Sequence, residues 1–384
     1  MLDRAEFPRD KPCGGVVTVR AAELLPFDIS PVVERVVSGI HLTVRQSHGL
    51  TRRSSQDLVY LTQRRHLDTF LVDRALDAGA TLRQRSQVKE VERLRSHIDV
   101  RTVDETFSGS NLVVADGANG RTAKLADIDV KFWHHIALEG NITPRGGVPQ
   151  MWQDAIGLDV GGIAGGYGWI FPKGDHLNIG LGGWRHAGPT LRERLDRLVR
   201  YYGFDTSEVW GLRGHYLPLR KPGSPLADGN VLLVGDAAGL VDPMSDEGIH
   251  SAIWSGRSAA HHLSRYVGGE APDLSGYRRE LERELIPNLS VSRQFHDLFH
   301  LSPALCIVID RQTSIVWKLV CRLLRGEQTY SEVMRKHPAL ATLIELFSDL
   351  VRVTPLLQRA AGLRDPKPPE RFFRRLAQNP TPHL

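Results

Sequence analysis

The stretch Val231 to Arg257, VLLVGDAAGLVDPMSDEGIHSAIWSGR, sets a carboxylate and a glycine where a diphosphate-bearing ligand could be gripped. Asp236 follows an apolar, β-branched run, Val231 to Val234, which reads as a buried strand. In open α/β sheets the carboxyl ends of strands are where ligands bind, and a carboxylate there can accept a hydroxyl hydrogen bond from a ribitol or ribose. Pro243 breaks the chain; Glu247 to Leu263 then carries apolar and small residues at helical spacing, with Gly248 where backbone can approach a ligand closely. The alternative is an ordinary strand-turn-helix unit of an α/β core.

A second candidate is aromatic. Tyr167, Trp169 and Phe171 alternate at strand spacing, so all three point to one face, where they could line a tunnel for a long apolar chain or serve as core. The histidine pairs His134-His135, His261-His262 and His296 with His300 lack accompanying ligands at metal spacing, so no metal site is expected.

These residues need elements to hold them. Gly39 to Tyr60 alternates loosely and breaks at His48-Gly49, predicting a pair of strands; Arg65 to Ala78 predicts a helix ending at Gly79. Strands follow around Leu82 to Leu94 and Ile98 to Thr106, then a buried strand at Leu112 to Ala115. From about Ile128 to Tyr216 the chain is rich in Trp, Gly and alternating strands, with one charged helix near Leu191 to Tyr202. After the helix Tyr277 to Leu285 the pattern turns helical, with apolar stretches Leu305 to Ile309 and Ile315 to Leu324. These predict a helical cap on the preceding domain, with membrane contact as the alternative, since Arg371, Arg374 and Arg375 surround Phe372-Phe373.

With 384 residues, 41% hydrophobic and 24% charged, the chain is long enough for two domains of ordinary globular composition. The net charge of +5 is spread along the sequence, which favours anionic ligands or an anionic surface over a dedicated nucleic-acid site. Cys13, Cys306 and Cys321 are too few and too scattered for a disulfide framework, so a cytoplasmic setting is expected, with peripheral contact at the inner face of a membrane left open. There is no signal-peptide pattern and no apolar run of spanning length.

Five segments in order carry a resemblance. Gly235-Asp236-Ala237-Ala238-Gly239 with Pro243 and Glu247-Gly248-Ile249 resembles the second flavin-binding motif of the geranylgeranyl reductase family, flavoproteins built like aromatic hydroxylases. Phe7 to Gly15, with Lys11 and the Pro-Cys-Gly-Gly turn, is similar to the segment that crosses the flavin ring. Arg64 leads a helix similar to one that helps hold the FAD diphosphate, Ala115-Asp116-Gly117-Ala118 resembles the ADGA turn, and Gly166 to Asp175 resembles the family's YxWxFPKG strand.

The resemblance implies an α/β two-domain flavoprotein. It would comprise an incomplete Rossmann-like FAD domain (residues 1–38, 61–127 and 217–286), an inserted antiparallel-sheet substrate domain (39–60 and 128–216) and a C-terminal helical region (287–384). It implies FAD as cofactor, NAD(P)H or a ferredoxin-like electron donor, and a prenyl diphosphate or a prenylated lipid, quinone or pigment as substrate. Cys13, Tyr167 and Trp169 would be catalytic, with a small buried residue in a tight turn the alternative for Cys13. Asp3, Arg4, Lys11, Cys13, Gly14, Arg64 and Val88 would bind the cofactor from the first half of the chain. Asp116, Gly117, Gly235, Asp236, Pro243, Glu247, Gly248 and Ile249 would bind it from the second.

Two departures stand out. The family opens with strand, GxGxxG turn, helix and second strand, whereas Met1-Leu2-Asp3-Arg4 resembles the end of that second strand, with Asp3 at the position that binds the adenosine ribose. The expected reason is a start recorded downstream of the true one; a split or decayed gene, or a unit supplied by another chain, are the others. Asp246 replaces the family's glycine before Glu247, where its carboxylate could cap the helix or repel a diphosphate. The competing functions are a flavin monooxygenase or halogenase on the same fold, and a non-catalytic fragment unable to hold FAD.

Overall fold

The computed structural model describes residues 1–47, 49–354 and 357. Arg371 to Arg375 lie outside them. A seven-stranded sheet runs in the order Trp210–Arg220, Phe132–Ile142, Leu177–Trp184, Gly166–Pro172, Ala155–Ile163, Gly39–Val44, Leu50–Arg53. All neighbours are antiparallel except Ala155–Ile163 with Gly39–Val44. The pair of strands predicted around His48-Gly49 thus joins this sheet.

Each face of the sheet has its own core. On one, Ile136, Leu138, Ile170, Ile179 and Leu181 pack on the Leu191–Tyr201 helix, whose Leu191, Leu195, Leu198 and Val199 recur at helical spacing and are all buried. The other carries Ala137, Ile156, Trp169 and Phe171 and meets the small sheet formed by Val16–Thr18, Val59–Leu61 and Arg35–Val37. That second face is shaped by register. Glu139, Gly180 and Trp169 are paired in one row across three strands and therefore share a side. An added Cβ at Gly180 would sit 2.3 Å from the Trp169 indole and 2.8 Å from the Glu139 Cβ, so the missing side chain lets the indole lie across toward Glu139.

The strand predicted at Val231 to Val234 forms as Val231–Leu233, is fully buried and pairs in parallel with Leu112–Val114. Leu112–Val114 is less buried than expected, with Val113 39% exposed, because it lies at the end of this sheet with Val231–Leu233 as its one strand neighbour among the described residues. The Arg64–Asp77 helix follows, and Gly79 takes φ +91° just beyond it. Leu2 forms a parallel bridge to Arg83. Two C-terminal helices pack on the large sheet: Asp310 in the Pro303–Thr313 helix is buried and accepts from Arg52 Nε at 3.0 Å, while Trp317 and Leu324 of the Ile315–Leu324 helix pack beside Cys321 on the aromatic face. No helix among the described residues is long and apolar enough to cross a membrane.

Gly180→Val should overpack the Trp169 row and cost about 1–3 kcal/mol. The measurement is the urea midpoint, with Gly146→Val as the control, because a Cβ at Gly146 meets nothing within 4 Å. Equal midpoints for the two variants would contradict the register argument.

Candidate functional site

The turn at Cys13-Gly14-Gly15 is pinned to the aromatic face from three directions. The Cys13 N–H donates to Glu139 Oε1 at 2.6 Å. Lys173 Nζ donates to the Gly14 carbonyl at 2.6 Å and the Thr62 carbonyl at 2.9 Å. The Phe171 ring lies against Gly14, and Gly15 takes φ +62° with the Thr62 carbonyl 1.9 Å from where a Cβ would stand, so a side chain fits at neither position. Trp169 donates through Nε1 to Asn178 Oδ1 at 2.8 Å, and Tyr167 donates through its hydroxyl to the Ser245 carbonyl at 2.7 Å. Cys13, Gly14, Tyr167 and Trp169 are therefore brought to one place, from segments more than 150 residues apart.

Burial sets the electrostatics there. It pushes the Glu139 carboxyl up to about 7, against the opposing pull of the Cys13 N–H, Lys173 and Arg213. The same desolvation draws the Lys173 ammonium down to about 8, although Cys13, Glu34 and Glu139 favour its charge. Burial also holds the Tyr167 phenol well above its usual range.

A charged end adjoins the turn. Lys11 Nζ lies 3.9 Å from where a Gly117 Cβ would be, within electrostatic reach of Arg64, Asp236, Cys13 and Asp68. Arg64 holds Asp68 through Nε at 2.7 Å and Nη2 at 3.0 Å; Arg9 holds Asp68 at 3.0 Å and reaches Asp3 at 4.0 Å. Gly248 leaves room beside Asp236, whose Oδ1 would be 2.8 Å from an added Cβ. His215, drawn down to about 4 by burial and then by Lys11, is neutral here. Lys11 and Asp236 are both half-buried, and neither makes a side-chain hydrogen bond among the described residues. A half-buried ammonium and carboxylate that make no side-chain hydrogen bond among the described residues, beside two glycines, fit a ligand that offers both an anion and hydroxyl groups.

The other expected cofactor residues have these places in the structure. The Glu247 carboxylate accepts from Thr18 Oγ1 at 2.6 Å and pairs with Arg20. It lies outside the helix, which runs Ile249–Val267, starting two residues later than its sequence pattern suggests. Asp246 sits at φ +56°, and its Oδ1 accepts from His135 Nδ1 at 2.7 Å; the carboxylate is held by the sheet instead of capping the helix. Asp116 accepts the N–H groups of Arg121 and Thr122, at 2.9 and 2.8 Å, at the start of the Thr122–Leu125 helix. Gly235 takes φ +53° at the strand end, Pro243 is buried, and Ile249 packs by Val17 and Ala21. Val88 packs on the core around Val231 to Val234, and Arg4 is exposed.

Sequence reading missed Glu139 and Asn178, and it weighed His135 only as a metal ligand, not as the partner of Asp246. Glu139 did leave a signal, as the one acid in the apolar stretch Ile136 to Ile142.

No family model matches the chain. It is 29% identical to a menaquinone reductase of Mycolicibacterium smegmatis over 77% of this chain and 76% of that one. It is 29% identical to a geranylgeranyl diphosphate reductase of Rhodobacter capsulatus over 79% of this chain and 78% of that one. Among solved structures, it superposes on a geranylgeranyl bacteriochlorophyll reductase-like protein of Thermoplasma acidophilum with a TM-score of 0.66 and 22% identity, covering 77% of this chain and 81% of that one. The fold is that of the FAD-dependent flavoproteins, and the chain, similar over most of its length to menaquinone and geranylgeranyl reductases, is an enzyme of the FAD-dependent oxidoreductase class.

Proposed function

We propose that this chain saturates double bonds of a prenyl chain, with FAD as its redox cofactor. The observation that carries the reading is the aromatic face beside the Cys13 turn, whose Trp169 and Phe171 are buried and whose margin is partly exposed. Trp169 lies across Gly180, stacked on Phe171 with ring centroids 5.9 Å apart. Partly exposed Tyr167, Leu158, Ile40, Leu217 and Trp317 extend that surface. Such a floor suits a long apolar chain, and the names of the relatives, a menaquinone reductase and geranylgeranyl reductases, support the same substrate class.

Lys11 and Asp236 would hold the cofactor at its charged end, with Gly117 and Gly248 leaving space for it, and Cys13-Gly14-Gly15 would face its ring. Bound there, FAD supplies reducing equivalents that no amino-acid side chain carries. The chain's own part is to orient and to exclude water: Lys173 and Glu139 fix the turn, and the aromatic floor removes solvent from the reacting double bond. The electron donor proposed is NAD(P)H or a ferredoxin-like protein.

Asp236→Ala should weaken FAD binding about 10- to 100-fold, the loss of one hydrogen bond to a charged group worth about 1.5–3 kcal/mol. Titration of FAD by fluorescence quenching measures it, and equal affinities would place the carboxylate away from the cofactor.

Trp169→Ala should lower kcat/KM for prenyl compounds about 10- to 100-fold while leaving FAD affinity unchanged, since the lost aromatic contact is worth about 1–3 kcal/mol. The assay is anaerobic reoxidation of the reduced protein by a panel of prenyl compounds and small aromatics. Reoxidation by oxygen with small aromatics alone would replace the reductase reading with a monooxygenase.

A further inference from the structure

Saturating a carbon–carbon double bond takes a hydride at one carbon and a proton at the other, so beside the reductant the site needs an acid. Each ionisable group around the Cys13 turn can be judged by where its hydrogens go. Tyr167 commits its hydroxyl to the Ser245 carbonyl, and Lys173 directs Nζ to the Gly14 and Thr62 carbonyls. His215 is kept neutral among Lys11, Arg64 and Asp236. Glu247 and Asp242 answer Arg20, and Asp246 accepts from His135. The Cys13 sulfur accepts the Gly15 N–H at 3.3 Å.

Glu139 also accepts a hydrogen bond, and what sets it apart is its place on the aromatic face. Its side chain is 9% exposed, stands in the same row as Trp169 with only Gly180 between them, and touches the Cys13 N–H through Oε1. We propose that Glu139 is the proton donor of the reduction, a role that rests on the prenyl-reductase reading above. With bound reduced FAD as the source of a hydride for one alkene carbon, Glu139 would supply the proton for the other. The alkene π pair then bonds the Glu139 proton at the other carbon, and the O–H pair stays behind on the carboxylate. The flavin ends oxidised by two electrons, the alkene reduced by two, and water reprotonates Glu139.

The surroundings suit that cycle. The charged and polar groups facing Glu139 are Lys173 from the strand-end Pro172-Lys173 corner, Arg213 from the Trp210–Arg220 strand, Asn178 from the Leu177–Trp184 strand and the Cys13 N–H from the turn. All of them favour the carboxylate, and burial opposes them and prevails, leaving the carboxyl at about 7. Such a group is an acid that can both give and regain its proton near neutrality. The sign follows: the protonated form is the active one, so the rate of double-bond reduction falls as pH rises through about 7.

The test has two arms. In the flavin-free protein, infrared difference spectra across a pH titration should show a carboxylic acid band that disappears near pH 7 in the wild type and is missing from Glu139→Gln; a wild-type band lost near pH 4.5, or one kept by the variant, overturns the proposal. In the flavin-loaded protein, Glu139→Gln should slow anaerobic reoxidation by a prenyl compound at least 100-fold, within the usual range for a lost general acid. It should also abolish the fall above pH 7 and leave FAD affinity unchanged. Glu139→Asp, which keeps an acid, should recover part of the rate and the pH dependence, and failure to recover either would reduce Glu139 to a support of the turn. A Glu139→Gln protein with wild-type rate and profile defeats the proton-donor role alone. A wild type that no prenyl compound reoxidises defeats the reductase reading and this role with it.

Discussion

The structure depends on one buried cation. The Lys173 side chain is only 2% exposed, and taking an ammonium out of water costs several kcal/mol unless its hydrogens find acceptors. Two acceptors are supplied, the carbonyls of Gly14 and Thr62, from the two segments that flank the aromatic face. The bond is therefore a positional constraint. If the corner after the Gly166–Pro172 strand moved by a few ångströms, the charge would be left without partners, so the Cys13 turn and the large sheet must keep one relative position.

That constraint propagates through residues chosen for size. With the turn held, Phe171 can lie on it only because position 14 is glycine, and Trp169 can reach toward Glu139 only because position 180 is glycine. Glu139 closes the ring of contacts by accepting the Cys13 N–H. A carboxyl and an ammonium thus both hold one turn, and each is pushed by burial toward its neutral form. Their mutual attraction works against that push.

Much of this was legible in the residues. The strand and helix around Asp236, the alternation of Tyr167, Trp169 and Phe171, and the helix ending at Gly79 follow local periodicity, and the structure has all three. What periodicity does not hold is long-range partnership. Glu139 contacts Cys13 across 126 positions, and Glu247 leaves its helix for Thr18 and Arg20 across more than 220. Val113 is exposed because of where its strand falls in the sheet, a matter of topology that its own side chain does not encode.

Asp246 shows how such a partnership rescues a locally unfavourable residue. Its φ of +56° lies in the left-handed region, where a side chain other than glycine costs about 1–2 kcal/mol, and read alone it threatens any anion bound nearby. The structure answers both problems with the same side chain. His135, 1% exposed on the Phe132–Ile142 strand, donates to the Asp246 carboxylate at 2.7 Å, which offsets the backbone cost and spends the charge on the sheet. Asp236, by contrast, makes no side-chain hydrogen bond among the described residues and stands within electrostatic reach of Lys11. The loop between the two aspartates is fixed to the sheet at Asp246 and to the Val19–Ala22 helix at Glu247, so the Asp236 carboxylate stands on a loop anchored at its far end.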